Sequence, residues 1–279
     1  FPMAKKVSIY WPSGQIQILE DMPAGYVYTI SEQSNSSKEN RRNKPMFTKS
    51  QSTLAKIKHS ERIFDDFKRE SLLPNKLSQL GPGIAWGDID NDNDNDVYIG
   101  GASGYPGRIF LNNGNSEFIM KYQPSFLGDK NFEDMGVLFI DVDEDGDLDL
   151  FVASGGVECV PGSSLLLDRI YLNDGLGNFT KGHSSLMPDI RTSSSVVAAA
   201  DIDLDGTQEI FIGGRVVPGK YPLSPNSFII KKIGSNYSDA TTKLAPEIKN
   251  AGMVTSAIFS DVDIDGWPDL LVTYEWGPV

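Results

Sequence analysis

The stretch DVDEDGDLDL at residues 141–150 sets six acids into nine consecutive positions: Asp141, Asp143, Glu144, Asp145, Asp147 and Asp149. Two apolar runs flank it, MGVLFI before and LFVASGG after. Crowded carboxylates repel one another and resist ionisation unless a cation neutralises them. The stretch is therefore either a solvated acidic turn between two strands or a loop that wraps a metal.

Self-similarity decides between these. The pattern recurs as DIDNDNDND from Asp88, DIDLDGTQE from Asp201 and DVDIDGWPD from Asp261, so that successive copies begin 53, 60 and 60 residues apart. Every copy has an apolar run on each side: GIAWG with VYIGG, GVLFI with LFVASGG, VVAAA with IFIGG, and SAIFS with LLVTY. Such short runs, rich in Val, Ile, Phe and Tyr and bounded by Gly, are strands rather than helices. A second hairpin follows each of the first three copies. RIFLNNGNSEF and RIYLNDGLGNF carry Asn-Gly or Asp-Gly turn signals, and SFIIKKIGSNYSD carries Gly-Ser. Four strands per repeat at near-constant spacing predict β-propeller blades. The fold class is all-β: a partial propeller of four-stranded antiparallel blades, three complete and a fourth in part, preceded by a small β module.

Within each copy the acids stand at positions 1, 3 and 5, with another at position 9. Alternating oxygen donors of this kind suit calcium, which accepts six to eight of them, better than the stricter octahedron of magnesium. The expected side-chain ligands are Asp88, Asp90, Asp92 and Asp96 in the first copy and Asp141, Asp143, Asp145 and Asp149 in the second. In the third they are Asp201, Asp203, Asp205 and Glu209, and in the fourth Asp261, Asp263, Asp265 and Asp269. Position 7, held by Asp94, Asp147, Thr207 and Trp267, is expected to give its backbone carbonyl. Position 6 is Gly146, Gly206 and Gly266, with Asn93 in the first copy, as a turn of positive φ requires. An EF-hand needs a Glu at position 12 and helical flanks; Ile99, Val152, Ile212 and Val272 stand there instead. The four copies hold half of the 38 acids of the chain, a concentration that opposes folding without counter-charge. Up to four calcium ions are expected, one per loop. The third copy departs from the pattern by ending in Glu209, one methylene longer than Asp, and the first by its Asn93 at position 6.

Composition bounds the partners. A net charge of −13 argues against nucleic acid and anionic membranes. No apolar run reaches the roughly 18 residues of a membrane helix. The single cysteine, Cys159, rules out an internal disulfide framework. A chain that opens on Phe1 next to the strand-like KKVSIYW and stops at EWGPV is expected to be an excerpt of something longer.

The repeat resembles the FG-GAP/VCBS blade of integrin-type propellers, whose DxDxDGxxD loop binds calcium between the first two strands. VSIYWPSGQIQILEDMPAGYVYTISE, residues 7–32, resembles the end of an ASPIC/UnbV domain through its V-x-I-x-W-P-S-G core and closing T-I-x-E. HSERIFDDFKRESLLPNKLSQLGPGIAWGDID and GGRVVPGKYPLSP resemble segments of large VCBS/ASPIC proteins exported by Bacteroidota. The resemblance implies an extracellular or cell-surface location and leaves the ligand open. The expected organisation is an ASPIC/UnbV-like module over 1–32 and a polar linker over 33–58, which has seven Lys or Arg against one Glu. A strap over 59–80 and blades over 81–279 follow.

If the acidic loops join the first two strands of each blade, the second-to-third connections lie on the opposite face. The long insertions at 155–168 and 213–226, beside 101–107, are the expected place for a glycan or protein ligand. Tyr105, Arg169, Arg215, Lys220 and Tyr221 are the candidate contacts, against the alternative that the two arginines form local ion pairs. A glycan-active enzyme using the same face and a passive spacer are the other readings. His59 and His183 have no nucleophile elbow, HExxH or phosphate loop around them.

Overall fold

The computed structural model describes residues 3–32, 52–115 and 117–277, in two compact units that divide after Ser50. The first unit contains a hairpin of β1 (Met3–Tyr10) and β2 (Ile16–Pro23), turned at Gly14 with φ +83°. Trp11 Nε1 donates to Gln17 Oε1 at 3.0 Å across it. Most of the expected linker, residues 33–51, lies outside the described residues. Its last part, within the second unit, forms a short 3₁₀ turn at Thr53–Lys56, where Thr53 Oγ1 accepts from Phe118 N and donates to Phe118 O.

The second unit is a row of antiparallel sheets. The first comprises β3 (Ile84–Gly87), β4 (Asp96–Ile99), β5 (Arg108–Asn112) and β6 (Phe118–Lys121). The next has β7 (Asp134–Ile140), β8 (Asp149–Ser154), β9 (Arg169–Asn173) and β10 (Phe179–Lys181). The third has β11 (Ser193–Ala200), β12 (Glu209–Val216), β13 (Phe228–Ile233) and β14 (Asn236–Asp239). β15 (Val254–Ser260) and β16 (Asp269–Tyr274) pair as the beginning of a fourth. Strands follow chain order within each sheet, and the first strands lie side by side: β3 on β7, β7 on β11, β11 on β15. These are propeller-like blades, with the first strand innermost.

That close approach explains two glycines. A Cβ on Gly83 would stand 2.7 Å from the Met135 carbonyl oxygen, and one on Gly136 3.0 Å from the Val196 backbone. The second strands are continuous apolar runs because both of their faces are covered. Leu150 and Val152 of β8 point into the core shared with the first blade, beside Tyr98, Ile109, Phe126 and Tyr171. Phe151 and Ala153 point into the core shared with the third blade, beside Ile210, Ile212 and Ile230. Phe211 then joins Ile229, Val254 and Val272 toward the fourth. Each fully buried Leu, Ile, Val or Phe among them contributes about 1.5–3 kcal/mol.

Residues 59–80 run largely without regular structure over the blades, with one helical turn, α1 (Asp66–Arg69), capped by Asp65 accepting from Lys68 N at 3.2 Å. Asp66 is buried and accepts from Leu77 N, Ser78 N and Ser78 Oγ at 2.9, 2.9 and 2.6 Å. Leu73 and Leu77 pack on Val157 and Val216. Arg69 donates to the carbonyls of Val157 and Cys159, and Glu70 accepts from Tyr221 N at 2.7 Å. The segment thus ties together the insertions of the second and third blades.

Candidate metal centre

Each acidic stretch connects the first strand of a blade to the second, and all four adopt one backbone. Position 6 is left-handed in every copy, at φ 70° for Asn93, 94° for Gly146, 92° for Gly206 and 92° for Gly266. Position 4 is left-handed too, at Asn91, Glu144, Leu204 and Ile264, with φ of 61°, 65°, 55° and 64°. No common residue type announces position 4 in the sequence, and for the β-branched Ile264 this region is a true outlier.

Hydrogen bonds explain why the chain accepts that shape. The position-1 carboxylate gathers two N–H groups: Asp88 those of Asp92 and Asn93, and Asp141 those of Glu144 and Gly146. Asp201 receives those of Asp205 and Gly206, and Asp261 those of Asp265 and Gly266. Asp92, Asp145, Asp205 and Asp265 at position 5 each accept the position-7 N–H at 2.9, 3.0, 2.9 and 2.9 Å. Position 9 holds the N–H of position 2, at 3.1 Å for Ile89, 2.9 Å for Val142, 3.0 Å for Ile202 and 2.9 Å for Val262. Asp96 and Asp149 also accept from the third strand, from Asn112 N and Asn173 N at 2.8 Å each.

This folding brings carboxylates together. Oxygens of Asp88, Asp90 and Asp96 lie within 4.8 Å of one another, as do those of Asp141, Asp143 and Asp149, of Asp201, Asp203 and Glu209, and of Asp261, Asp263 and Asp265. Positions 1, 3 and 9 converge in the first three loops, and positions 1, 3 and 5 in the fourth. Burial pushes Asp96 and Asp90 above the usual carboxylate range, and Asp92 and Asp88 raise Asp90 further. Burial and then Asp145 raise Asp143. Asp149 is pushed up to about 6, first by burial and then by Asp143 and Asp145. Among the described residues no ion pair reaches these acids or the fourth cluster; Lys232 pairs with the exposed Glu144, which is not among the converging carboxylates. Three hard oxygen donors that no described cation pairs with, Lys121 acting on Asp90 only from a distance, fit a divalent cation such as calcium.

The third loop differs. Lys231 Nζ sits among its carboxylates, 2.9 and 2.7 Å from the two oxygens of Asp203, 2.7 Å from Asp205 Oδ2 and 2.7 Å from Glu209 Oε1. The ammonium holds Asp205 well below the usual carboxylate range.

The candidate ligand contacts part company. Arg169 is buried, with Nη2 2.5 Å from Asp134 Oδ1 and its guanidinium over the Phe132 ring. Tyr98 OH and Gly101 N donate to the other oxygen of Asp134, both at 2.7 Å. Arg215 is buried too, 2.5 Å from Glu275 Oε2. Both arginines pair locally, Arg169 with the buried Asp134 and Arg215 with the half-buried Glu275, as the ion-pair alternative expects, and neither is placed to face a ligand. β12 also runs to Val216, which places Arg215 in a strand and shortens the insertion expected from residue 213. Tyr221 OH donates to Glu275 Oε1 and accepts from Trp276 Nε1, both at 2.8 Å. Beside it Tyr221, Pro222, Met253 and Trp276 line a mainly apolar cleft of about 300 Å³. Lys220 is exposed, and Tyr105, 46% exposed, borders a smaller recess with His59 and Arg108. His59 Nε2 lies 2.5 Å from Glu61 Oε1, and His183 Nδ1 accepts from Ser185 N at 3.2 Å.

No curated protein matches the chain. Residues 88–152, from the first acid of the first loop to the middle of β8, match the family described as the FG-GAP-like repeat. That span takes in two acidic loops and the blade strands between them, so the chain is similar to this repeat across its first blade and the start of its second.

Proposed function

We propose that the chain is a calcium-stabilised β-propeller segment of an exported or cell-surface protein that acts in adhesion or extracellular ligand binding. The observation that carries the calcium reading is the fourfold recurrence of one strained loop backbone, with carboxylates converging inside it. Calcium here is structural: Asp88, Asp90 and Asp96, Asp141, Asp143 and Asp149, and Asp261, Asp263 and Asp265 would hold it. It would supply the positive charge that lets these acids ionise between paired strands. Affinities of about 10⁻⁴ to 10⁻³ M, typical of extracellular modules, suffice outside a cell.

The extracellular setting and the ASPIC/UnbV-like nature of residues 7–32 rest on the sequence resemblance. The cleft at Tyr221 and Trp276 favours a glycan as ligand, because exposed aromatic faces suit the apolar faces of sugar rings. Elemental analysis of the purified chain, with thermal melting in calcium and in EDTA, tests the metal. Absence of calcium and identical melting curves reject it. A glycan array tests the ligand: binding without product supports adhesion, turnover supports the glycan-active alternative, and a blank array favours a spacer.

A further inference from the structure

The third acidic loop carries its own cation. Strand register shows how it got there. In the first blade Val97 faces Phe110, in the second Leu150 faces Tyr171, and in the third Ile210 faces Ile230. One residue on, the third strands carry Leu111, Leu172 and Lys231. Leu111 and Leu172 pack against the cores between blades. Lys231, in their place, reaches back over its sheet into the cluster of carboxylates. The same loop has Glu209 where the first two have Asp96 and Asp149. The longer side chain keeps its bond to Ile202 N and turns Oε1 onto the ammonium. Two departures from the repeat therefore meet in one contact.

From this geometry we infer that Lys231 replaces the divalent cation in the third loop, so that the chain binds calcium at three loops rather than four. The inference rests on the calcium reading for the other loops. An ammonium has three donors and no acceptor, and four oxygens of Asp203, Asp205 and Glu209 surround it at 2.7–2.9 Å, the range of charge-assisted hydrogen bonds. Calcium needs six to eight oxygens at about 2.3–2.6 Å. It would have to take these same oxygens while facing a positive charge. Glu209, whose side chain is fully buried, has its charge compensated without any ion from solvent. The third blade is thereby pinned at any calcium concentration.

Equilibrium dialysis of the 279-residue chain against radioactive calcium counts the sites. Three ions per chain are expected, and Asp203→Ala leaves the count at three. The double substitution Lys231→Leu and Glu209→Asp, which restores the residues of the first two blades, raises it to four. A wild-type count of four, a fall to two in Asp203→Ala, or a double variant that stays at three while folded overturns the inference and leaves the calcium reading standing. A wild-type count of zero rejects the calcium reading instead, and melting of Lys231→Met in EDTA then decides whether the ammonium holds the loop. A fall of about 4–12 °C supports the resident ammonium, given roughly 2–4 °C per kcal/mol in a chain of this size; an unchanged midpoint overturns it.

Discussion

Asp149→Asn separates the two tasks of the second loop, clasping the backbone and receiving a cation. Asp149 is fully buried, and its two oxygens accept from Val142 N at 2.9 Å and Asn173 N at 2.8 Å. An amide at this position sets one N–H against another, which costs about 1–3 kcal/mol. The same change removes a carboxyl group that burial pushes from 3.8 up to about 6. At roughly 1.4 kcal/mol per unit, the wild-type charge costs the metal-free fold up to about 3 kcal/mol at pH 7. The two effects oppose and nearly cancel. In EDTA at pH 7 the variant is expected to melt within a few degrees of the wild type. Calcium changes the outcome, because affinity follows the number of charged ligands. At a hundredfold excess over Kd an ion stabilises the fold by about 2.7 kcal/mol, and after a loss of about 100-fold in affinity only about 0.4 remains. The difference corresponds to a fall of about 5–9 °C in the presence of calcium. Differential scanning calorimetry of both proteins in 1 mM EDTA and in calcium at about a hundredfold excess over the wild-type Kd, about 10 mM for a Kd of about 10⁻⁴ M, gives the comparison. Equal falls in the two buffers, or none in calcium, refute the reasoning.

Three other outcomes follow from residues outside the loops' ligand sets. Arg169→Met leaves Asp134 buried beside Tyr98 without its cation, and thermal unfolding should show a loss of about 3–5 kcal/mol, partly recovered by adding Asp134→Asn. Glu133, pushed up to about 8 by burial and then by Glu61 and Glu158, ordinarily titrates at 4.5. Between these values the folded state keeps a proton that the unfolded chain has lost, so stability falls as pH rises through the window. Glu133→Gln should flatten that part of the melting profile and exceed the wild type at pH 8 while matching it near pH 5; parallel profiles reject this. Ile264→Asn relieves a β-branched residue at φ 64°, a strain of about 1–2 kcal/mol, and should raise the melting temperature by about 2–8 °C.

The sequence discloses the blades because their signals are local. Acids at alternating positions, Asn-Gly and Asp-Gly turns, and apolar runs too short for helices each fix a piece of one sheet, whereas the loops bring together only three of the four spaced acids, leaving out position 5 in the first three and position 9 in the fourth. Contacts set by register stay hidden. Lys231 and Glu209 are 22 residues apart, and nothing in either segment alone says that the lysine reaches the loop rather than solvent. Arg169 and Arg215 stayed open between ligand contact and local ion pair for a related reason: the carboxylate each one serves, Asp134 or Glu275, is placed opposite only by the fold. The left-handed position 4 escaped because Asn91, Glu144, Leu204 and Ile264 share no chemistry. Hydrogen bonds within the loop impose that conformation, not the residue that adopts it.

The two-sided burial of the second strands has a consequence for how such a chain fails. Leu150 and Phe151 are neighbours on β8 yet belong to different seams, one toward the first blade and one toward the third. The acidic loop ends at Asp149, directly before them. A disturbance there cannot loosen one seam and spare the other, because the same strand is a wall of both. The unit that yields is a strand with its two seams, and the row of sheets behaves less like beads on a string than like bricks sharing mortar.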